Sequence, residues 1–158
     1  MNKNFDALPL RSGVGIVLLN KENKVFVARR IDNPKNFWQM PQGGVDKGED
    51  FLKAAFRELK EETSIGSVEL IEELEGTITY ELPERLLGII WKGKYRGQKQ
   101  KWFLMRFIGE DTEININTKH PEFLDWKWID LDLITDFVVD FKFHVYKEVK
   151  EKVKKIIN

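Results

Sequence analysis

The sequence predicts a single α/β (α+β) domain covering residues 1–158, and three observations predict it. Short apolar runs rich in β-branched residues recur between polar, turn-prone stretches, which is the pattern of strands. Two longer stretches place apolar residues three and four apart, which is the period of amphipathic helices. A chain of 158 residues is long enough for one well-buried core and too short to expect two.

In chain order, residues 14–19 are a continuous apolar run, followed by the polar NKEN and then KVFVARR. Two such runs around a turn read as a β-hairpin whose first strand is buried on both faces. Arg29 and Arg30 close the second strand, either as a solvated strand end or as cations within reach of a ligand. Asn33, Pro34, Lys35 and Asn36 form a loop, and in FWQMPQGG the alternation of Trp38 and Met40 predicts a short strand. Pro41 and the pair Gly43-Gly44 would then let the backbone approach a ligand closely.

A helix follows Gly48, with Glu49 and Asp50 near its N-terminus, where the macrodipole favours negative charge. At about 100° per residue, Leu52, Ala55, Phe56 and Leu59 share the core stripe, and Lys53, Arg57 and Lys60 point away from it. Glu58, Glu61 and Glu62 fall together on a third stripe. Like charges at this spacing cost a few tenths of a kcal/mol per pair. The stripe is either a solvated acidic face or a site where a hard divalent cation meets oxygen ligands.

Residues 68–74 and 77–82 read as strands, the second stopped by Pro83, and RLLGIIW (85–91) as another strand or a buried segment. In WKGKYRGQKQKW, Lys92, Lys94, Arg96, Lys99 and Lys101 interleave with Trp91, Tyr95 and Trp102. That stretch is either a flexible hairpin loop with solubilising lysines or a basic, aromatic lip that attracts phosphates and stacks bases. KWFLMRFIG is a strand, a polar loop runs on to Glu122, and Trp126, Trp128 and Ile129 alternate as a last strand. Val138, Phe141, Val145, Val149, Val153 and Ile156 then mark a C-terminal amphipathic helix packed on the sheet.

Composition excludes several chemistries. With no cysteine there is no disulfide framework, thiolate zinc site or cysteine nucleophile, and His120 and His144 alone make a histidine-rich metal site implausible. Lys plus Arg equals Asp plus Glu at 26 each, so any phosphate-binding surface must be a local patch. MNKNFDALPL lacks the apolar core of a signal peptide, and no apolar run approaches the ~20 residues of a membrane span. The expected setting is the cytoplasm, with no membrane partner.

Read as a pattern, the chain has Gly43, five residues, Glu49, seven residues, Arg57-Glu58-Leu59-Lys60-Glu61-Glu62, one residue, Ser64 and Ile65. This resembles the Nudix box, with one departure: Ser64 stands where the family usually has a glycine, so the helix is expected to end slightly later, towards Gly66. The flanks GVGIVLLN, ARR, FWQMPQGG, GQKQKWF, PEF with WKW, and VVDFKFHVY are similar to bacterial RNA pyrophosphohydrolases and the related dinucleoside polyphosphate hydrolases. The likeness runs from about Arg11 to Val149.

The resemblance implies an α/β/α sandwich with a mixed sheet. It implies Mg²⁺, replaceable by Mn²⁺ or another divalent cation, held by Glu58, Glu61, Glu62, Glu122 and a backbone carbonyl near Gln42, with water as the nucleophile. Arg57 would orient a carboxylate, Glu49 would anchor Arg57 or a backbone amide, and Glu122 would be a ligand or general base. Arg30 and Phe141 would hold a base of the 5′ end, although Phe141 could equally be core. Lys142, Gln98 and Arg11 would contact phosphates or nucleotide edges. Phe37 departs from relatives with a small polar residue there, so a phosphate hydrogen bond is expected to be missing.

The implied substrate is 5′-triphosphorylated RNA or, alternatively, diadenosine tetra- or pentaphosphate, acted on by a monomer. A non-catalytic nucleotide-binding module is a further reading, disfavoured by the intact Arg57, Glu58, Glu61 and Glu62.

Overall fold

The computed structural model describes residues 5–32 and 35–157, so Asn33 and Pro34 of the expected loop, and the first four residues, lie outside the described residues. β1 (Leu10–Leu19) and β2 (Val25–Arg30) form the expected antiparallel hairpin, closed at Leu19 and Val25. Asn20 shapes its turn by accepting from the Glu22 and Lys24 amides. Residues 37–41 make only an isolated bridge, Ala28 to Gln39, and the short strand lies further on as β3 (Gln42–Gly44). The alternation of Trp38 and Met40 has another cause. Their amides are engaged elsewhere, Trp38 with the Phe137 carbonyl and Met40 with the Tyr146 hydroxyl, so both side chains are core without a ladder between them.

α1 (Phe51–Thr63) is capped by Asp50, whose carboxylate accepts from the Lys53 amide. Ala54, Ala55 and Leu59 are its buried residues towards the sheet, with Leu52 and Phe56 packed at the margin. The helix does not run past Ser64. Ser64 itself takes the left-handed conformation (φ 68°) that a glycine adopts so readily, and its hydroxyl donates to the Asn115 carbonyl.

β4 (Val68–Glu73), β5 (Ile78–Glu81), β6 (Gly97–Phe107), β7 (Phe123–Ile129) and α2 (Phe143–Ile157) complete the chain. Residues 85–91 form no strand; 3₁₀ turns at Glu84–Leu86 and Ile90–Gly93 lie there instead. The basic stretch is likewise not one loop, because β6 begins at Gly97 and carries Lys99, Lys101 and Trp102 into the sheet, with Trp102 in the core. The C-terminal helix starts at Phe143, so Val138 and Phe141 reach the core from the turn before it.

Among the described residues, seven strands form one mixed sheet in the order β4-β6-β1-β2-β7, with β3 added on β1 and β5 on β6. β1 and β6 run parallel from Leu10 opposite Gly97 to Leu19 opposite Arg106. The two-residue period of β1 explains the layers. Val17 and Leu19 face one core with Trp102, Leu104 and the α2 residues Val145, Tyr146, Val149 and Val153. Val14, Ile16 and Leu18 face the other with Phe26, Phe103, Met105, Ala55 and Leu59 of α1. The result is helix, sheet, helix, the expected sandwich.

Candidate active site

α1 presents Glu58, Glu61 and Glu62 beside the β3 strand, and the glycines of β3 set how close the two come. A Cβ on Gly43 would collide with the Glu58 carboxyl group, and one on Gly44 with the Arg11 guanidinium. The expected close approach of backbone to ligand is thus, in this structure, a close approach of two protein side chains to backbone.

Arg57 lies off the core stripe and pairs with Glu49, as expected. Its Nε and Nη2 donate to both Glu49 oxygens at 2.8 Å, Nη2 also donates to the Gly44 carbonyl at 2.9 Å, and Nη1 donates to Glu58 at 3.0 Å and Glu61 at 3.2 Å. Asp46 adds a further carboxylate at 3.7 Å. Helical periodicity could not show this, because Glu49, Asp46 and Gly44 arrive from the preceding loop and strand. Hydrogen bonding from Arg57 holds the Glu49 carboxyl down to about 2, and the surrounding carboxylates raise the Arg57 guanidinium further.

Glu62 is buried, only 4% exposed, and neither of its carboxylate oxygens has a hydrogen-bond partner. Burial pushes its pKa well above the ordinary carboxylate value, and the charges of Glu122 and Glu58 push the same way. Glu58 is raised as well, by burial first, against the lowering influence of Arg57. Among the described residues no three acidic or histidine side chains close into a ready-made ligand shell. Arg57 now supplies the positive charge between Glu58 and Glu61. The donor set is all oxygen, and a buried carboxylate without a partner is what a cation would complete, so the residues fit a hard divalent metal.

These carboxylates edge a cleft of about 1020 Å³. Glu58, Glu61, Glu122, Gln42 and Arg11 line it, as do Arg30, Phe141 and Lys142. Arg30 forms a fork to Asp32 at 2.7 and 2.9 Å and lies 4.0 Å from Glu122. Asp32 is thus an anchor that sequence reading missed, two residues along in the following turn. Phe141 is both core and cleft: its ring packs 5.7 Å from Tyr80 while facing the cavity. The Lys142 ammonium sits 5.3 Å from the Tyr80 ring, and burial pulls its pKa down to about 7.

Gln98 departs from its expected role. It is fully buried beneath the cleft, with its carbonyl oxygen accepting from Gln100 at 2.8 Å and Tyr80 at 3.4 Å. Gln100 also donates to the Gln42 side chain at 3.3 Å and accepts from the Trp102 indole at 3.1 Å. The two glutamines face the sheet interior, so they brace the floor from below. Tyr80 and Gln100 were not singled out from sequence; the alternation of polar side chains in GQKQKW is the only signal that could have found Gln100. Phe37 lies in the cleft wall with no hydroxyl to offer.

A family model described as the NUDIX domain matches residues 9–149. The RNA pyrophosphohydrolase of Pelagibacter ubique (strain HTCC1062) is 75% identical over 158 residues, covering 100% of both chains. Among solved structures, the E. coli dihydroneopterin triphosphate pyrophosphohydrolase superposes with a TM-score of 0.67 at 22% identity, covering 89% of this chain and 96% of that one. A C. elegans Ap4A hydrolase does so with a TM-score of 0.64 at 23% identity, covering 90% and 98%.

Proposed function

This chain belongs to the NUDIX family, and from that premise we propose that it is an RNA 5′-pyrophosphohydrolase that converts 5′-triphosphate ends to 5′-monophosphates. The observation that carries the reading is Glu62, a buried carboxylate without a partner that feels the charges of Glu58 and Glu122, which themselves line a cleft with Arg11, Arg30 and Lys142. The full-length, 75% identical relative named RNA pyrophosphohydrolase supports RNA as the substrate.

Glu58, Glu61, Glu62 and Glu122, with the carbonyl at Gln42, would hold Mg²⁺, and Mn²⁺ would substitute. Such a cation, when bound, neutralises phosphoryl charge and acidifies water, which phosphoanhydride hydrolysis requires. Arg57 would tether Glu58 and Glu61 through one nitrogen, and Glu49 would fix Arg57. Glu122 is half exposed at the cleft edge, where it can accept a proton from the attacking water. Arg11 and Lys142 meet the phosphates, and Arg30 and Phe141 take a base. The work is that of a single domain acting as a monomer in the cytoplasm.

The test offers purified protein and Mg²⁺ a mixture of 5′-triphosphorylated RNA and diadenosine pentaphosphate at equal concentration, and follows both products. Faster turnover of the RNA, abolished by Glu62→Gln, is the expected result. Preference for the dinucleotide would overturn the RNA assignment.

A further inference from the structure

The cleft has a second aromatic wall that the proposed roles leave unused. Trp91, Ile90, Leu86 and Arg85 line it. Trp91 is only partly buried, and its ring is braced edge-on by Tyr95 at 6.1 Å. The Arg11 guanidinium lies over the Trp91 ring, 5.3 Å from its centroid. The same guanidinium fills the space that a Cβ on Gly44 would take, so Arg11 reaches from the floor of the cleft to the indole face.

The backbone holds Trp91 in a conformation that side chains disfavour. Trp91 (φ 52°, ψ 34°) and Lys92 (φ 58°, ψ 25°) are consecutive left-handed residues, neither of them glycine. The loop is tied off by Gly88 and Gly93, both at positive φ, and a Cβ on Gly93 would stand 3.0 Å from the Gly88 carbonyl oxygen. Such strain is typical where a side chain must be aimed. A tryptophan face topped by a cation, at the rim of a phosphate cleft, has the chemistry that stacks a nucleobase.

We propose that Trp91, with Arg11, is a stacking platform for a second nucleobase, so that one substrate is gripped by two bases, one on Trp91 and one at Arg30 and Phe141. This rests on the reading of the cleft as a nucleotide site and adds to it the requirement for a substrate with two bases. The enzyme then discriminates against single nucleotides by leaving one wall empty.

The experiment uses triphosphorylated RNA trimers that are intact or abasic at the first, second or third nucleotide, with wild type, Trp91→Ala, Trp91→Phe and Phe141→Ala. Trp91→Ala is expected to lower kcat/KM on the intact trimer about tenfold through KM, with Trp91→Phe recovering most of the loss. Its penalty should vanish at one abasic position, and the Phe141→Ala penalty at a different one. If both penalties vanish at the same position, or if Trp91→Ala loses equally on every trimer, the platform does not exist. Should wild type not hydrolyse RNA, the RNA reading has failed, and the same variants compared on diadenosine tetraphosphate and adenosine tetraphosphate decide the platform separately. A Trp91→Ala penalty confined to the dinucleotide supports it, and an equal penalty on both refutes it.

Discussion

Replacing Gly43 by alanine should separate folding from catalysis. Among the described residues the glycines at positive φ are Gly48, Gly76, Gly88 and Gly93, so Gly43 has a backbone that alanine can adopt. The added methyl would nevertheless stand 2.1 Å from the Glu58 carboxyl carbon, which must retreat by at least roughly 1.3 Å to reach ordinary contact distance. Forcing that side chain off its rotamer costs about 0.5–1.5 kcal/mol. The reduced freedom of the unfolded chain returns about 0.4–1 kcal/mol. The two nearly cancel, so Tm should stay within about 3 °C of wild type.

Displacing a carboxylate by that distance costs on the order of 10²-fold in rate, equivalent to about 2.7 kcal/mol of barrier. Thermal melting and kcat/KM on triphosphorylated RNA, with a Mg²⁺ titration, measure both halves. The midpoint of the Mg²⁺ titration should move to higher concentration. A variant that kept its rate within about threefold and an unchanged Mg²⁺ dependence would refute the claim that Gly43 makes room for Glu58. Gly44→Ala is the contrast: it meets only the far end of Arg11, so it should raise KM more than it lowers kcat.

Glu62→Gln should fold with a Tm equal to or above that of the metal-free wild type while losing several orders of magnitude in rate, because it removes a buried carboxyl group whose ionisation burial opposes and which the cation needs as a ligand; melting in EDTA together with a turnover assay checks both. Burial lowers the Lys142 pKa to about 7, below its unfolded value, so between about pH 7 and pH 10 the unfolded chain binds more protons and stability rises with pH. Below pH 7 both states are charged and that dependence levels off. Lys142→Met should flatten the slope and raise stability at pH 7 by up to roughly 4 kcal/mol, read from Tm between pH 6 and 10. Ser64→Ala should cost about 1 kcal/mol by losing the bond to the Asn115 carbonyl, whereas Ser64→Gly should be near neutral because relief of the left-handed backbone offsets the same loss. Denaturant melts of the two variants decide.

Much of the scaffold was legible because its signals are periodic. The three stripes of the box helix and the continuous apolar run of β1 each state which face is buried. What was misread came from residues whose partners lie far along the chain. Gln98 and Gln100 are polar, so the start of β6 looked like loop, yet they are buried with Gln100 bonded to Gln98, Gln42 and Trp102 and the Gln98 carbonyl also accepting from Tyr80. Residues 85–91 are apolar without being a strand, because Leu86, Leu87, Ile90 and Trp91 pack on the α2 side of the core from 3₁₀ turns. The carboxylates of the candidate site were visible as a spacing. The family resemblance anticipated that Arg57 pairs with Glu49 and orients a carboxylate; its bond to the Gly44 carbonyl and its proximity to Asp46 were not foreseen, since a helical wheel carries no record of the loop that folds back over it.

The parallel pairing of β1 with β6 has a consequence for how the molecule comes to exist. β1 is the middle strand of the path β4-β6-β1-β2-β7, yet Leu10 must wait for Gly97 and Leu19 for Arg106 before its main partner has been made. At ribosomal speeds of about 5–20 residues per second that is several seconds in which the apolar run of β1 has only β2, β3 and, on one face, α1 to shelter it. Closing so distant a pair is also the slow kind of step in refolding, since chain entropy is lost before the contacts form. The arrival of β6, which joins β1, β4 and β5 at once, is therefore the event that commits the chain to its native state.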